Sequence, residues 1–194
     1  MSDYTAILYV GETLVRLLWD NIKNDSELSI IESEDQITLS SPEDIGAGKK
    51  LSLFLYQITE NDYLKNQEMQ NVNSTKFEHP PLALSLFYLI TAHTQNTGSD
   101  HLLLGKVMQV FHDNAILRGS LLHESLAGEE LRLILKPLSI DELNKTWSAI
   151  SKSKPYKLSA NYEVTPVRIE SMREGETTRV TELELEKYQI GVER

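Results

Sequence analysis

The chain has 194 residues and a mass of 22.1 kDa, which fits one domain of ordinary size. Hydrophobic residues at 40% and charged residues at 25% support a packed core, and a net charge of −10 argues against a nucleic-acid binder, which needs a clustered basic surface. The absence of cysteine excludes a disulfide scaffold, an iron–sulfur cluster and a cysteine-based zinc site.

The N-terminal segment predicts an amphipathic helix. Val10, Leu14 and Leu17 recur at helical spacing, and Ser2 with Asp3 supplies capping groups before them. Charged residues interrupt the segment, and it lacks the early basic region of a secretory signal. We therefore expect a soluble protein that is made without export by the usual signal.

Two strands separated by a polar stretch come next. Residues 51–58, LSLFLYQI, alternate in the manner of a strand. Residues 59–81 are polar and rich in Asn and Gln, which predicts a long loop. Residues 82–92, LALSLFYLITA, are nearly all apolar and predict a strand buried on both faces, since a membrane helix needs ~20 residues.

Two helices with a strand between them are predicted in the next part of the chain. The first covers about residues 100–114, with Ser99 as its expected cap. The strand covers residues 131–135. The second helix covers residues 140–150, and Ser139 begins a capping box there.

The C-terminal part predicts two further strands. Residues 158–170 alternate until Pro166, and a proline at that point indicates an edge strand or a bulge. Residues 178–190 place apolar side chains among glutamates, as in a strand that needs a partner. The predicted fold is α+β (mixed α/β): one domain over residues 1–175, with a central mixed or antiparallel sheet flanked by two or three helices, and an extended arm over residues 176–194.

No stretch carries a recognisable catalytic or ligand-binding pattern. Residues 46–50, GAGKK, lack the first glycine and the hydroxyl of a phosphate loop and precede a strand, so we expect a turn. No two of the five histidines have the His-x-x-x-His spacing of a helical zinc site, and residues 119–128 lack G-x-S-x-G. We expect no catalytic residue, no cofactor and no metal site, and therefore no enzyme.

Several stretches together resemble a known family. They are PPLALSLFYLITAH (80–93), HLLLGKVMQVFHDNAILRGSLL (101–122), LRLILKPLSIDELNKTWSAI (131–150) and YKLSANYEVTPVRIES (156–171). As an ordered set they are similar to the Pvc16 family, the cap or tail-terminator proteins of extracellular contractile injection systems. The resemblance covers nearly the whole chain except the loop at 59–79 and the end of the tail.

The resemblance implies a tail-terminator-like fold and structural work. Family members form a six-subunit ring on the distal end of the inner tube and sheath, where the ring stops both polymers and ties them together. The implied partners are other copies of this chain in a hexameric ring, the tube protein and the sheath protein; neither nucleic acid nor membrane insertion is expected. The implied location is the cytoplasm during assembly and then the distal end of the particle, with release outside the cell left open.

The residues also suggest where assembly contacts lie. A ring needs complementary edges repeated around an axis, and a strand added to a free sheet edge can grip an extended arm. The strand at 158–170 and the tail at 178–190 are the candidate edges, unless both are internal strands that pair only with each other. The predicted interface residues are Tyr162, Val164, Val167, Ile169, Val180, Leu183 and Leu185.

Three other functions stay open at this point. A phage-like neck or tail-completion adaptor belongs to the same assembly class. A delivered effector enzyme is a second alternative, which the lack of a catalytic pattern disfavours. A generic soluble adaptor is the third, and its sign is a stable monomer without affinity for tube or sheath subunits.

Overall fold

A computed structural model describes residues 2–25, 28–65, 67, 70–71, 76–150 and 155–176. In this part of the chain the helices are α1 (Ala6–Ile22), α2 (Thr97–Asp113) and α3 (Ile140–Ile150). The strands are β1 (Ile37–Thr38), β2 (Leu51–Glu60), β3 (Gln70–Asn71), β4 (Lys76–Glu78), β5 (Leu82–Ala92), β6 (Ile116–Arg118), β7 (Glu130–Leu135), β8 (Ser159–Ile169) and β9 (Glu174–Glu176). The chain forms two compact units, Met1–Lys65 with Pro81–Glu170 and Asn66–Pro80 with Ser171–Arg194.

The first unit is built on a mixed sheet of six described strands in the order β1-β2-β5-β8-β7-β6. β1 runs parallel to β2, and every other neighbouring pair is antiparallel. With three helices in the described residues, this confirms the α+β class predicted from the sequence.

The core lies between the sheet and helices α1 and α2. The predicted stripe of α1 is buried, with Leu14 only 1% exposed. Phe111 of α2 meets Tyr162 of β8 edge-to-face, with ring centroids 5.0 Å apart. Leu53 of β2 and Tyr88 of β5 belong to the same apolar cluster. Alternate residues of a strand share a face, so each strand directs one set of its side chains toward this cluster. Burial of each such large side chain stabilises the fold by about 1.5–3 kcal/mol.

Capping groups explain where α2 and α3 begin. The predicted capping box of α3 is confirmed: the Ser139 N–H donates to Glu142 Oε2 at 2.9 Å, and the Glu142 N–H donates to Ser139 Oγ at 3.3 Å. The predicted cap of α2 was wrong, because the helix begins at Thr97. Asn96 is its N-cap, and its Oδ1 accepts the Ser99 N–H at 2.9 Å.

The second unit contains a small antiparallel sheet in the order β3-β4-β9. Gln70 pairs with Glu78, and Lys76 pairs with Glu176. Residues 59–81 are therefore not one long loop as predicted, because β2 extends to Glu60 and β3 and β4 lie within the stretch. The predicted division of the chain at residues 175 and 176 stays a prediction.

β8 is an interior strand, so the expectation of an edge strand at 158–170 was wrong. It pairs with β5 on one side and β7 on the other. Thr165 and Pro166, joined by a cis peptide bond, stand opposite Ser85 at a register shift with β5, and Thr165 is the last residue of β8 that pairs with β7. The proline thus marks a bulge, the other possibility that its position indicated.

Candidate assembly surface

β2 presents an open edge on the side away from β5. β1 pairs with it only at Leu51 and Ser52, and the chain leaves the sheet after Thr38. From Leu53 to Glu60, no strand in the described part of the chain pairs with this side of β2. Unpaired N–H and C=O groups along such an edge form a template for another strand.

A groove of about 640 Å³ lies against β2. Its lining residues come from β2, from the loop after β1 and from α3: Phe54, Tyr56, Gln57, Ser41, Asp44, Lys145, Thr146, Ala149 and Ile150. The register of β2 against β5 shifts between Leu55 and Gln57. Tyr56 and Gln57 are consecutive in the sequence, and both line the groove. Burial raises the pKa of Tyr56, and the hydrogen bond with the neighbouring Asn161 side chain offsets part of this rise. The lining thus combines apolar side chains with polar ones, and it includes one carboxylate, Asp44, and one lysine, Lys145.

Helix α3, which forms one wall of the groove, has a single buried residue. Among its residues Trp147 alone is buried, at 6% exposure, and the Tyr156 ring contacts it edge-to-face at 5.5 Å. Trp147 Nε1 and Asn161 Oδ1 are buried and have no hydrogen-bond partner among the described residues. Because a buried unpaired polar atom costs about 1–3 kcal/mol, α3 is held less firmly than its apolar contacts alone would hold it.

A second hollow of about 300 Å³ lies at the ends of β7 and β8. Leu135, Tyr156 and Leu158 line it and are about half exposed, at 46%, 51% and 51%. Met108 of α2 adds a further exposed apolar group. An exposed apolar surface of this kind is typical of an interaction site.

The structure places four of the seven predicted interface residues on β8. Tyr162, Val164 and Val167 are buried in the core, at 4%, 0% and 0% exposure, and Ile169 packs against the core while partly buried. The other three, Val180, Leu183 and Leu185, lie outside the described residues. The structure therefore gives the β8 residues a packing role, and an interface role for any of the seven stays a prediction.

The open edge of β2 is the feature that the sequence did not reveal. The alternation of residues 51–58 predicted the strand correctly, but its neighbours depend on segments far away in the sequence. One local signal was available: Gly48, with φ +81°, belongs to the predicted turn that leads the chain into β2. It shows that the chain turns there, but not that β1 stops pairing after two residues.

The described residues show no arrangement suited to a bound metal ion. No group of three or more His, Asp or Glu side chains is placed to hold one in the part of the chain that the structure describes. Among the described helices, none is both long enough and apolar enough to cross a membrane.

The fold is that of tube-terminating caps. The chain is similar to the sheath/tube terminator of PVC, an extracellular contractile injection system, in its extended state, with a TM-score of 0.68 and 20% identity over 98% of this chain and 66% of that one. It is also similar to the tube-terminating cap of the anti-feeding prophage, with a TM-score of 0.59 and 20% identity over 91% of this chain and 60% of that one. The chain thus spans less than two thirds of the length of each.

The sequence of the chain shows which family it belongs to. The chain belongs to the Pvc16 N-terminal domain family, which it matches over residues 9–182. No curated protein matches the sequence. The resemblance inferred from the four sequence stretches is confirmed.

Proposed function

We propose that this chain is a structural cap of a contractile injection particle, which ends its inner tube and sheath and links them. The observation that carries the proposal is the similarity of 98% of the chain to a sheath/tube terminator, together with membership of the Pvc16 N-terminal domain family. Its partners are other copies of the chain in a ring of six, and the tube and sheath proteins of the same particle.

The surface features of the first unit support an assembly role rather than a catalytic one. β2 offers an open edge over eight residues, Leu53 to Glu60, beside a groove with apolar residues in its lining. Leu135 and Leu158 expose apolar side chains at a second hollow. Open edges and exposed apolar grooves provide for strand addition and subunit packing.

The test is the native mass of the purified full chain, alone and after addition of assembled tube and sheath. We expect a species near 133 kDa, six times the chain mass of 22.1 kDa, in one or both conditions. We also expect the chain to sediment with tube and sheath and to stop their further growth. A chain that stays at 22.1 kDa and neither sediments with the polymers nor affects their length contradicts the proposal.

A further inference from the structure

We propose that residues 177–194 of one copy add as a strand to the open edge of β2 in the neighbouring copy of the ring. In this arrangement Leu183 and Leu185 enter the groove beside β2. The inference rests on the proposed ring, and it identifies the contact by which consecutive copies are joined.

The sequence of the donated segment has the pattern of a half-buried strand. Leu183 and Leu185 alternate with Glu182, Glu184 and Glu186. In a strand, residues two apart point to the same side, so the two leucines form one face and the three glutamates the other. Such a segment buries its leucine face only when another sheet supplies the apolar surface.

The open edge of β2 offers that surface over a sufficient length. The unpaired stretch runs from Leu53 to Glu60, eight residues, and the strictly alternating segment runs from Glu182 to Glu186, five residues. When a strand adds to an edge, main-chain hydrogen bonds supply affinity, and pockets for alternate side chains supply specificity. Two leucines on the same face of the added strand suit a single groove with apolar residues in its lining.

The lining of the groove favours the leucine face over the glutamate face. Phe54, Tyr56 and Ile150 contribute apolar surface, which leucines can bury but against which a glutamate would lose its hydration. The leucines therefore belong in the groove and the glutamates on the opposite face of the added strand. Lys145, which is exposed and also lines the groove, can pair with a glutamate of the added strand that lies near it.

Donation to a neighbouring copy follows from what a ring requires. A strand passed from each copy to the next is a head-to-tail contact, and contacts of this kind close into a ring when the rotation between copies brings the last onto the first. The same contact covers an edge that would otherwise invite uncontrolled pairing with other chains. One segment thus both joins the copies and protects them.

Groove-filling variants of the full chain test the acceptor side. Ala149 is exposed on α3 and lines the groove, whereas its neighbour Ser148 is exposed and does not. We expect Ala149→Arg to raise the dissociation constant of the ring about tenfold or more, because it occupies the site of the leucines. Ser148→Arg, which adds the same charge next to it, should leave the ring unchanged, and native mass measured against concentration gives both values.

Matched variants of the segment test the donor side. The double variant Leu183→Lys with Leu185→Lys should weaken the ring as strongly as Ala149→Arg, whereas Glu182→Gln with Glu184→Gln, which changes the net charge by the same amount and keeps the leucines, should not weaken it. Circular dichroism confirms that each variant is folded. Rings of unchanged affinity in both the groove and the leucine variants would overturn the inference while leaving the proposed cap function standing.

Disulfide trapping distinguishes exchange between copies from folding back within one chain. The chain has no cysteine, and Ile58 on β2 is 45% exposed, so Ile58→Cys can be combined with single cysteines at positions 181 to 187. Strand addition brings some pair within the ~4.4–6.8 Å between Cα atoms that a disulfide spans. We expect a ladder of crosslinked species up to six chains; crosslinks within single chains, or none, refute the exchange. Crosslinked chains without closed rings would support the contact and contradict the ring of six.

Discussion

Asp100 joins three segments of the first unit at the beginning of α2. Its Oδ1 accepts the Thr94 N–H at 2.7 Å and the Thr94 hydroxyl at 2.8 Å, and its Oδ2 lies 3.3 Å from Lys157 Nζ. Lys157 also donates to the Ala92 carbonyl at the end of β5, at 3.3 Å. The carboxylate thus connects the end of β5, the first turn of α2 and the segment that leads into β8, and it lies where the helix dipole favours negative charge.

The pKa of Asp100 gives this network a pH dependence. Burial alone would raise the pKa, but the Thr94 hydrogen bonds and the positive charge of Lys157 outweigh it and hold the pKa below its ordinary value of 3.8. A carboxyl with a lowered folded-state pKa contributes stability above its unfolded-state pKa, and that contribution is lost as the pH falls through the folded-state value.

Replacement of Asp100 by Asn should therefore destabilise the chain most at neutral pH. We expect the difference in unfolding free energy between the wild type and Asp100→Asn to be largest at pH 7, and to shrink as the pH falls below the ordinary value of 3.8. Urea denaturation of both chains at a series of pH values measures the difference. A difference that stays constant down to acidic pH would show that the carboxylate charge contributes nothing to the network.

At the scale of elements, β8 is a core strand, and substitution at Val164 tests this assignment. Val164 is fully buried between Leu86 of β5 and Leu133 of β7. Val164→Thr keeps the side-chain shape but buries a hydroxyl, so we expect a loss of about 1–3 kcal/mol in the free energy of unfolding. Ile134→Thr is the control, since Ile134 on β7 is 38% exposed and should cost well under half as much.

The two possible roles of Val164 differ in what the substitution changes. A core residue alters the unfolding midpoint of the single chain, measured by chemical denaturation. An interface residue would leave that midpoint in place and instead change the concentration at which the ring dissociates. Only the second result would restore the predicted interface role of β8.

Elements with local signals were predictable from the sequence, and long-range pairings were not. The capping box at Ser139 fixed the beginning of α3, and Trp147 lies on its inner face as predicted. β5 covers the residues of its apolar run. By contrast, β4 pairs with β9 about a hundred residues further along the chain, and no local pattern identifies such a partner. For the same reason the sequence could not show that β2 is open and β8 enclosed.

The open edge of β2 and helix α3 border the same groove. Trp147 is the buried residue of α3. The alternation at 158–170 belongs to a packed interior strand, and the open edge of β2 lies two strands away from it.

At the scale of the whole molecule, net charge sets the conditions under which copies associate. Each chain carries a net charge of −10, so six copies in the proposed ring would repel one another over distances beyond their contacts. The contacts proposed to oppose this repulsion are main-chain hydrogen bonds and buried leucines, which added salt does not screen. Salt screens the repulsion itself, with a Debye length that falls from about 10 Å at 0.1 M to about 3 Å at 1 M.

Ring formation should therefore strengthen with ionic strength. We expect the dissociation constant of the ring to fall about threefold or more as the salt concentration rises from roughly 0.05 M to 0.5 M, measured by sedimentation at neutral pH. Comparison of sodium chloride with sodium sulfate at equal ionic strength separates screening from the further strengthening of apolar contacts by sulfate. If salt instead dissociates the ring, attraction between opposite charges must hold the copies together. The contact would then have to be sought among the ionic side chains of the surface rather than at the open edge of β2.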